Sequence, residues 1–337
     1  MSSPKHSKDK ALWVIYNAWK VGSAGVDEAA VEDEAAITAR ALEELGCTPE
    51  MYAIASVADF AVRINGAGRP RLVLNLAEGF RGDTGKEGLV AALFELLDLP
   101  YTGNSAKTLT LAQDKILTKR LLAQAGIPTP GWAVFSGAED PVLDELAFPL
   151  IAKPSREDAS LGISSRGVFS SAAEVQKTCR ELFATYKQPI LIEEFIDGRE
   201  INAAILENAG RPRVLPLSEI LFDGIPPGVP RITSYEAKWN KESVLYTKTP
   251  AQCPAAVEPS LRARIEEIAC AVFHLLEGKD YGRVDFRVDA SGKPWVLEYN
   301  PNPDISQDGG FARSLAADGL SFAGFIRILL QNNGYAL

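Results

Sequence analysis

Apolar and polar positions change period several times along this chain of 337 residues. Residues 11–16, ALWVIY, form a short unbroken apolar run, as expected of a strand buried on both faces. A helical pattern then runs from Asp27 to Leu45 and stops at Gly46. Met51–Val57 and Arg71–Leu76 read as further strands. The second leads into a glycine-rich loop, AEGFRGDTGKEG, then a helix over Leu89–Leu97 and a strand-like Tyr101. Alternating strands and helices predict an open parallel sheet, whose ligands lie beyond the carboxyl ends of the strands. Glu78, Gly79 and Arg81 fall at such an end; a plain strand-to-helix connection is the competing reading. The glycine spacing is not GxGxxG, so no dinucleotide site is read.

Farther along, a helix over Leu111–Ala125 ends in Gly126-Ile-Pro128-Thr-Pro130, a domain joint. Helices follow over Ala172–Tyr186, 258–277 and 320–331. The stretch 211–254 holds seven prolines and is too long for an inert connector, which predicts a functional loop or lid.

The segment 281–303, YGRVDFRVDASGKPWVLEYNPNP, alternates with period two on both sides of a short Asp/Gly loop, and so predicts a hairpin. If residues 290–293 are the loop, Asp289 pairs with Pro294, Asp285 faces Glu298 and Arg283 faces Asn300. Opposed residues have Cβ atoms about 4.5–5.5 Å apart, and like charges there are unfavourable. Two facing carboxylates and an amide suit a hard, oxygen-seeking cation such as Mg²⁺, with a nucleotide's phosphates completing its shell. Arg283 beside them suits a transferring phosphoryl group. The competing reading is a polar strand face with ordinary surface charges.

Lys+Arg 35 against Asp+Glu 44 leaves a net charge of −9, which argues against nucleic acid or an anionic membrane as the main partner. No run of 18 apolar residues predicts a membrane span, and the polar start MSSPKHSKDK lacks a secretion signal. Cys47, Cys179, Cys253 and Cys270 are far apart, which fits a reducing cytoplasm. Of the two histidines, His6 lies in the polar tail and His274 is read as packed on its helix. The chemistry therefore falls to Lys, Arg, Asp, Glu and backbone groups.

Two other stretches carry candidates. In FPLIAKPSREDASLGIS, 148–164, a strand ends at Lys153 before a loop of small residues whose amides can cradle phosphate, although a generic loop reads equally well. In QPILIEEFIDGREI, 188–201, the backbone of Glu194, Phe195 and Ile196 suits an adenine edge. Glu193 would accept from its amino group and Glu200 from ribose hydroxyls; a surface hairpin with solvated acids is the alternative. Lys115, in AQDKILTKR, reads by spacing alone as a solvated lysine.

With Lys115, Lys153, Glu193, Glu200, Arg283, Asp285, Glu298 and Asn300 in this order, the chain resembles the ATP-grasp fold, and within it the D-alanine–D-alanine ligase group. The similarity runs from about Leu72 to Leu330 through LFELLDLPYTGNSAKTLTLAQDKILTKRLLAQAGIPTP, AKPSREDASLGIS, LIEEFIDGREI, YEAKW and the hairpin. It implies an α/β (α+β) fold of three subdomains, with ATP between the central and C-terminal ones. These are an N-terminal open parallel sheet over 1–112, a central unit over 113–188 and a C-terminal unit over 189–337 with a lid at about 222–248. It implies Lys115, Lys153 and the lid's Lys238 on the phosphates, Glu193 on adenine and Glu200 on ribose. Asp285, Glu298 and Asn300 would hold two Mg²⁺ ions, with Mn²⁺ as a substitute. Arg283, Lys238 and Ser160 would be the catalytic set. The implied reaction activates a carboxylate as an acyl phosphate, which an amine then attacks. Amino-acid-like substrates, a homodimer and a cytoplasmic location are implied with it.

The departures lie on the amino-acid side. Ala159-Ser160-Leu161-Gly162 replaces Ser-Ser-Val-Gly, and Trp239 replaces a lid tyrosine. Pro301-Asn302-Pro303-Asp304 replaces Thr-Ser-Pro-Gly, and Gly309 stands at a substrate-binding serine. The family's N-terminal glutamate has only Glu28 as a candidate. Glu78, Arg81, Trp239, Asp304, Gly309 and Arg313 are the expected substrate contacts. Substrates other than two D-alanines are therefore expected. The rivals are a true D-alanine–D-alanine ligase and a nucleotide-binding protein without catalysis.

Overall fold

A computed structural model describes residues 11–18, 26–137, 143–157, 167–226, 228–233, 236 and 243–337, with backbone alone at 26–30 and 67. Ala159, Ser160, Lys238 and Trp239, and the side chain of Glu28, lie outside the described residues.

Strand β1 (Leu12–Asn17) runs between β2 (Glu50–Ile54) and β3 (Leu72–Asn75), all parallel, which is the expected open sheet. The apolar run is buried on both faces: Leu12 and Val14 point into one core, Trp13 and Ile15 into another. Helix α1 (Val26–Glu44) follows β1. Helix α2 (Val57–Ala67) takes residues expected at the end of a strand and beyond it. Its apolar residues form no clean stripe: Phe60 and Ile64 are buried, while Val57 and Val62 face outward. Its start is set by Ser56, whose hydroxyl accepts from Asp59 N at 3.3 Å. After β3 comes α3 (Glu87–Leu96), and Tyr101 makes a lone parallel bridge to Val73.

The single helix expected over Leu111–Ala125 is two, α4 (Ala106–Gln113) and α5 (Lys115–Gln124). Asp114 breaks it by leaving helical geometry, and its carboxylate caps α5 by accepting from Leu117 N at 3.0 Å. That break makes Lys115 the first residue of α5.

The second sheet has order β4-β7-β5-β6 and is antiparallel: β4 (Trp132–Phe135), β5 (Leu150–Pro154), β6 (Val168–Phe169) and β7 (Ile190–Glu194). Helix α6 (Ala172–Tyr186) packs Val175 and Cys179 onto it. The third sheet, order β11-β10-β8-β12-β13, comprises β8 (Arg199–Asn208), β10 (Ser218–Ile220), β11 (Ala251–Gln252), β12 (Tyr281–Val288) and β13 (Pro294–Asn300), with β9 (Arg211–Val214) on β8. The other helices are α7 (Val244–Thr247), α8 (Pro259–Leu275), α9 (Gly310–Ala317) and α10 (Phe322–Asn332). His274, expected to pack, is exposed on α8, because Val272, Phe273 and Leu276 hold the buried face.

Period-two alternation sorts the third sheet's faces. Ile201, Ala203, Ile205, Val284, Phe286, Val288 and Val296 pack under α8. On the other face, Ala204, Leu206 and Tyr281 share a core with Leu12, Leu72, Phe311 and Phe325, joining this sheet to the first. The rest of that face is polar and carries the site.

Candidate nucleotide and metal site

The hairpin places Arg283 opposite Asn300 and Asp285 opposite Glu298, the expected pairs. The turn differs: Pro294 faces Val288, not Asp289. A bulge between Asp285 and Phe286 shifts the register by one residue, so the site half stays in the expected pairing. Asp289 instead closes the turn, accepting at Oδ1 from Ser291 N and Lys293 N and at Oδ2 from Trp295 Nε1. These bonds, those from Ser291 and Trp295 foremost, lower its pKa to about 2.

Asp285 is the hub. Its Oδ1 accepts from Arg283 Nε and Asn202 Nδ2, both at 2.7 Å, and its Oδ2 from Arg283 Nη2 at 2.8 Å and Asn300 Nδ2 at 3.0 Å. Burial opposes the Arg283 charge, but Asp285, Glu298 and Asp304 outweigh it and raise its pKa. Glu298 lies 3.8 Å from the Lys115 ammonium. Among the described residues, no group of three or more His, Cys, Asp or Glu gathers as a ready-made metal cage. Two carboxylates and an amide are instead the partial oxygen set that Mg²⁺ takes when phosphates supply the rest.

Lys115 is not the solvated lysine its spacing predicts. It is buried, its amide donates to Ser155 O at 2.9 Å, and its ammonium donates to Glu157 O at 2.6 Å. Lys153, at the end of β5, is buried too and lies 2.5 Å from Glu193 Oε2. The other oxygen of Glu193 pairs with Lys119, which the sequence pattern did not single out. Burial works against the Glu193 charge, but Lys119 and Lys153 prevail and hold its pKa below the ordinary carboxyl value. Both Glu193 oxygens face lysines here.

The amides of Glu194 and Phe195 are taken by Gly131 O and Pro149 O, each at 2.9 Å, which leaves Ile196 as the amide of that stretch with no bond to another described residue. Glu200 accepts from Thr233 Oγ1 at 2.7 Å and from Arg287 Nη2 at 2.9 Å. Arg287 lies between two rings, 5.5 Å from Phe195 and 5.1 Å from Phe222, and also donates to Arg231 O. Asn202 and Arg287 are missed residues with a legible signal. Asn202 is two places from Glu200 on one strand, and Arg287 two from Asp285 on another.

On the side beyond β3, the buried carboxylate is Glu34, six residues after Glu28 on α1. It accepts from Ile305 N at 2.8 Å. Burial, then Glu78, then Asp304 raise its pKa well above the ordinary value. Glu78 is held by its amide, which donates to Asn17 Oδ1 at 3.1 Å. The 301–304 turn is clasped as well. Asn104 Nδ2 donates to Pro301 O at 2.6 Å, and Tyr281 OH to Asn302 Oδ1 at 3.0 Å. Gly309 sits where a Cβ would lie 2.8 Å from Asp304 O and 2.9 Å from Ser306 O, so a serine there would force this loop to shift. Arg81, exposed, donates to Ala55 O at 3.0 Å and lies over Phe80, and Arg313 donates to Asp308 O.

Residues 121–331 match the family described as "D-ala D-ala ligase C-terminus". An uncharacterised protein of Sinorhizobium fredii is 34% identical over 260 residues, covering 77% of this chain and 74% of its own. The D-alanine--D-alanine ligase of Bordetella pertussis is 33% identical over 270 residues, covering 80% and 78%. A crystal structure of D-alanine--D-alanine ligase from Bacillus anthracis complexed with ATP shares the fold with a TM-score of 0.75. Its identity is 20%, over 96% of this chain and 97% of that one.

Proposed function

Because this chain belongs to the D-Ala–D-Ala ligase family and is an ATP-grasp ligase that forms a C–N bond, we propose that it joins two amino-acid-like substrates that are not both D-alanine. The observation that carries the catalytic half is the register of Arg283 with Asn300 and Asp285 with Glu298, beside Lys115 and Lys153. In the proposed reaction, a substrate carboxylate accepts the γ-phosphoryl group of ATP and becomes an acyl phosphate. An amine attacks its carbonyl carbon, the C–O bond to phosphate breaks, and the amide forms with release of phosphate and a proton. Lys115 and Lys153 hold the phosphates, Ile196 meets the adenine edge, and Glu200 accepts from the ribose. Arg283 faces the transferring phosphoryl group, where a fixed positive charge favours the transition state. Asp285, Glu298 and Asn300 would hold two Mg²⁺ ions, which neutralise phosphate charge when bound. Lys238 and Ser160 complete the catalytic set.

The substrate ammonium is assigned to Glu34, with Glu78 and Asp304 adding negative charge around it. Asp304 replaces a glycine of the family pattern, and a serine at Gly309 would crowd Asp304 O and Ser306 O. Both changes favour a substrate other than a pair of D-alanines. The relatives named D-alanine--D-alanine ligase favour the second reading, a true D-alanine–D-alanine ligase. An ADP-release screen over D- and L-amino acids, singly and in pairs, separates the two. The first reading expects kcat/KM for D-alanine at least ~10²-fold below the best substrate, about 2.7 kcal/mol of transition-state binding. D-alanyl-D-alanine as the best product would establish the second. We also assign a homodimer, checked by sedimentation, and the cytoplasm. No helix among the described residues is long and apolar enough to cross a membrane.

A further inference from the structure

Lys119 is 1% exposed, less than any other described lysine or arginine. It stands one helical turn after Lys115 on α5, and its ammonium pairs with Glu193 and donates to Thr129 Oγ1. Thr129 Oγ1 in turn donates to Val296 O at 2.7 Å, and Val296 N donates to Pro128 O at 2.8 Å. The other Glu193 oxygen holds Lys153. Two ammonium groups thus share one buried carboxylate, and the three side chains sum to one positive charge.

The partners are not equivalent. Lys119 is sealed in, its ammonium held between Glu193 and Thr129. Lys153, 7% exposed at the end of β5, is the one that can turn toward an anion. Without Lys119, Glu193 would have Lys153 as its sole counter-ion, and the charge offered to a phosphate would be cancelled. We propose that Lys119 is a positioning residue for nucleotide binding: by neutralising Glu193 it leaves the Lys153 charge to the triphosphate, and through Thr129 and Val296 it fixes that charge relative to the strand bearing Glu298. This rests on the reading of Lys153 as a phosphate contact.

Stability alone does not account for the arrangement. Buried ion groups are often matched or bettered by apolar residues of similar volume. Burial also lowers the Lys119 pKa to about 8, with Lys153 adding to the fall and Glu193 opposing it.

The test uses the full chain and a non-hydrolysable ATP analogue with Mg²⁺, titrated calorimetrically, alongside KM for ATP and for the best amino-acid substrate. Lys119→Met should weaken analogue binding and raise KM for ATP at least ~10-fold, while KM for the amino acid stays within about twofold. Lys119→Gln, which keeps hydrogen bonding without the charge, is the second neutral variant should Met prevent folding. Lys119→Arg should restore most of the affinity. Lys153→Met should weaken binding as well. Normal analogue binding by a folded neutral Lys119 variant, with binding lost in Lys153→Met, overturns the positioning role and leaves the phosphate reading intact. Normal binding by Lys153→Met overturns both. Equal losses in both KM values would mark Lys119 as merely structural and overturn the proposal.

Discussion

Glu34→Gln separates what the fold wants from what the substrate needs. The Glu34 carboxyl is 3% exposed and accepts one backbone hydrogen bond, from Ile305 N at 2.8 Å. Burial, Glu78 and Asp304 raise its pKa well above its ordinary 4.5, and only the Ile305 amide acts the other way. The folded state therefore keeps a proton that the unfolded chain has lost. Stability falls as pH rises from about 4.5 through the raised folded value, and at neutral pH the group is a net cost. Each unit of elevation corresponds to about 1.4 kcal/mol. Glutamine keeps the size and an acceptor for Ile305 N but carries no charge. The variant should thus be more stable than the parent at pH 7, with the gap closing toward pH 4.5. Urea midpoints at the two pH values read this directly. The same change leaves the proposed ammonium pocket with a side chain that cannot give up a proton and ionise when a substrate ammonium enters. A hydrogen bond to a charged group contributes about 1.5–3 kcal/mol, so KM for the amine-bearing substrate should rise roughly 10- to 100-fold, with KM for ATP unmoved. A variant that is less stable at pH 7 and keeps its substrate KM would refute both the electrostatic account and the substrate assignment.

Three further outcomes are expected. Glu298→Gln removes a charged oxygen from the proposed metal site and should lower Mg²⁺-dependent ADP release at least ~10²-fold; near-normal turnover would end the metal assignment. Gly309→Ser forces a side chain against Asp304 O and Ser306 O and should cost about 1–3 kcal/mol in urea unfolding, so an unchanged midpoint would show that the loop yields freely. Lys119 has its pKa at about 8 against an ordinary 10.5, so the folded protein loses that proton first. Its contribution to stability should therefore rise with pH between those values, while ATP-analogue affinity falls as the charge beside Glu193, Lys153 and Glu298 disappears. Flat affinity from pH 7 to 9 would contradict this.

The legible parts of the chain were those where period and charge agree. The hairpin's site half followed from alternation, because one face had to hide Val284, Phe286 and Val296. Its turn did not, because a bulge leaves no mark in an apolar–polar count. The break at Asp114 was hidden for the opposite reason: the apolar pattern runs straight across it, and only the capping bond reveals two helices. Lys119 and Glu34 escaped because buried charges are rare, so a lysine or glutamate on a helix reads as solvated until the partners that neutralise it are known. Those partners, Glu193 and Ile305, are distant in sequence. Glu193 was found, but with its oxygens turned to lysines.

The core shared by the first and third sheets has a mechanical consequence. Tyr281, where the strand bearing Arg283 and Asp285 begins, is packed edge-on against Phe311 and Phe325, in the same cluster as Leu12 and Leu74 of the first sheet. The second sheet has a separate core, around Leu150, Val175, Cys179 and Ile190. The carboxylates of Glu34 and Asp304 and the hairpin side chains Asp285, Glu298 and Asn300 therefore belong to elements that share one core. The Lys153-bearing sheet, with its own core, is tied to those elements at the Pro128–Val296 junction and through the Lys119–Thr129 contact. Hydrogen exchange should show amides of β1, β3, β8 and β12 opening together and those of β5 and β7 opening separately. Uniform protection across all three sheets would contradict the division into separate cores.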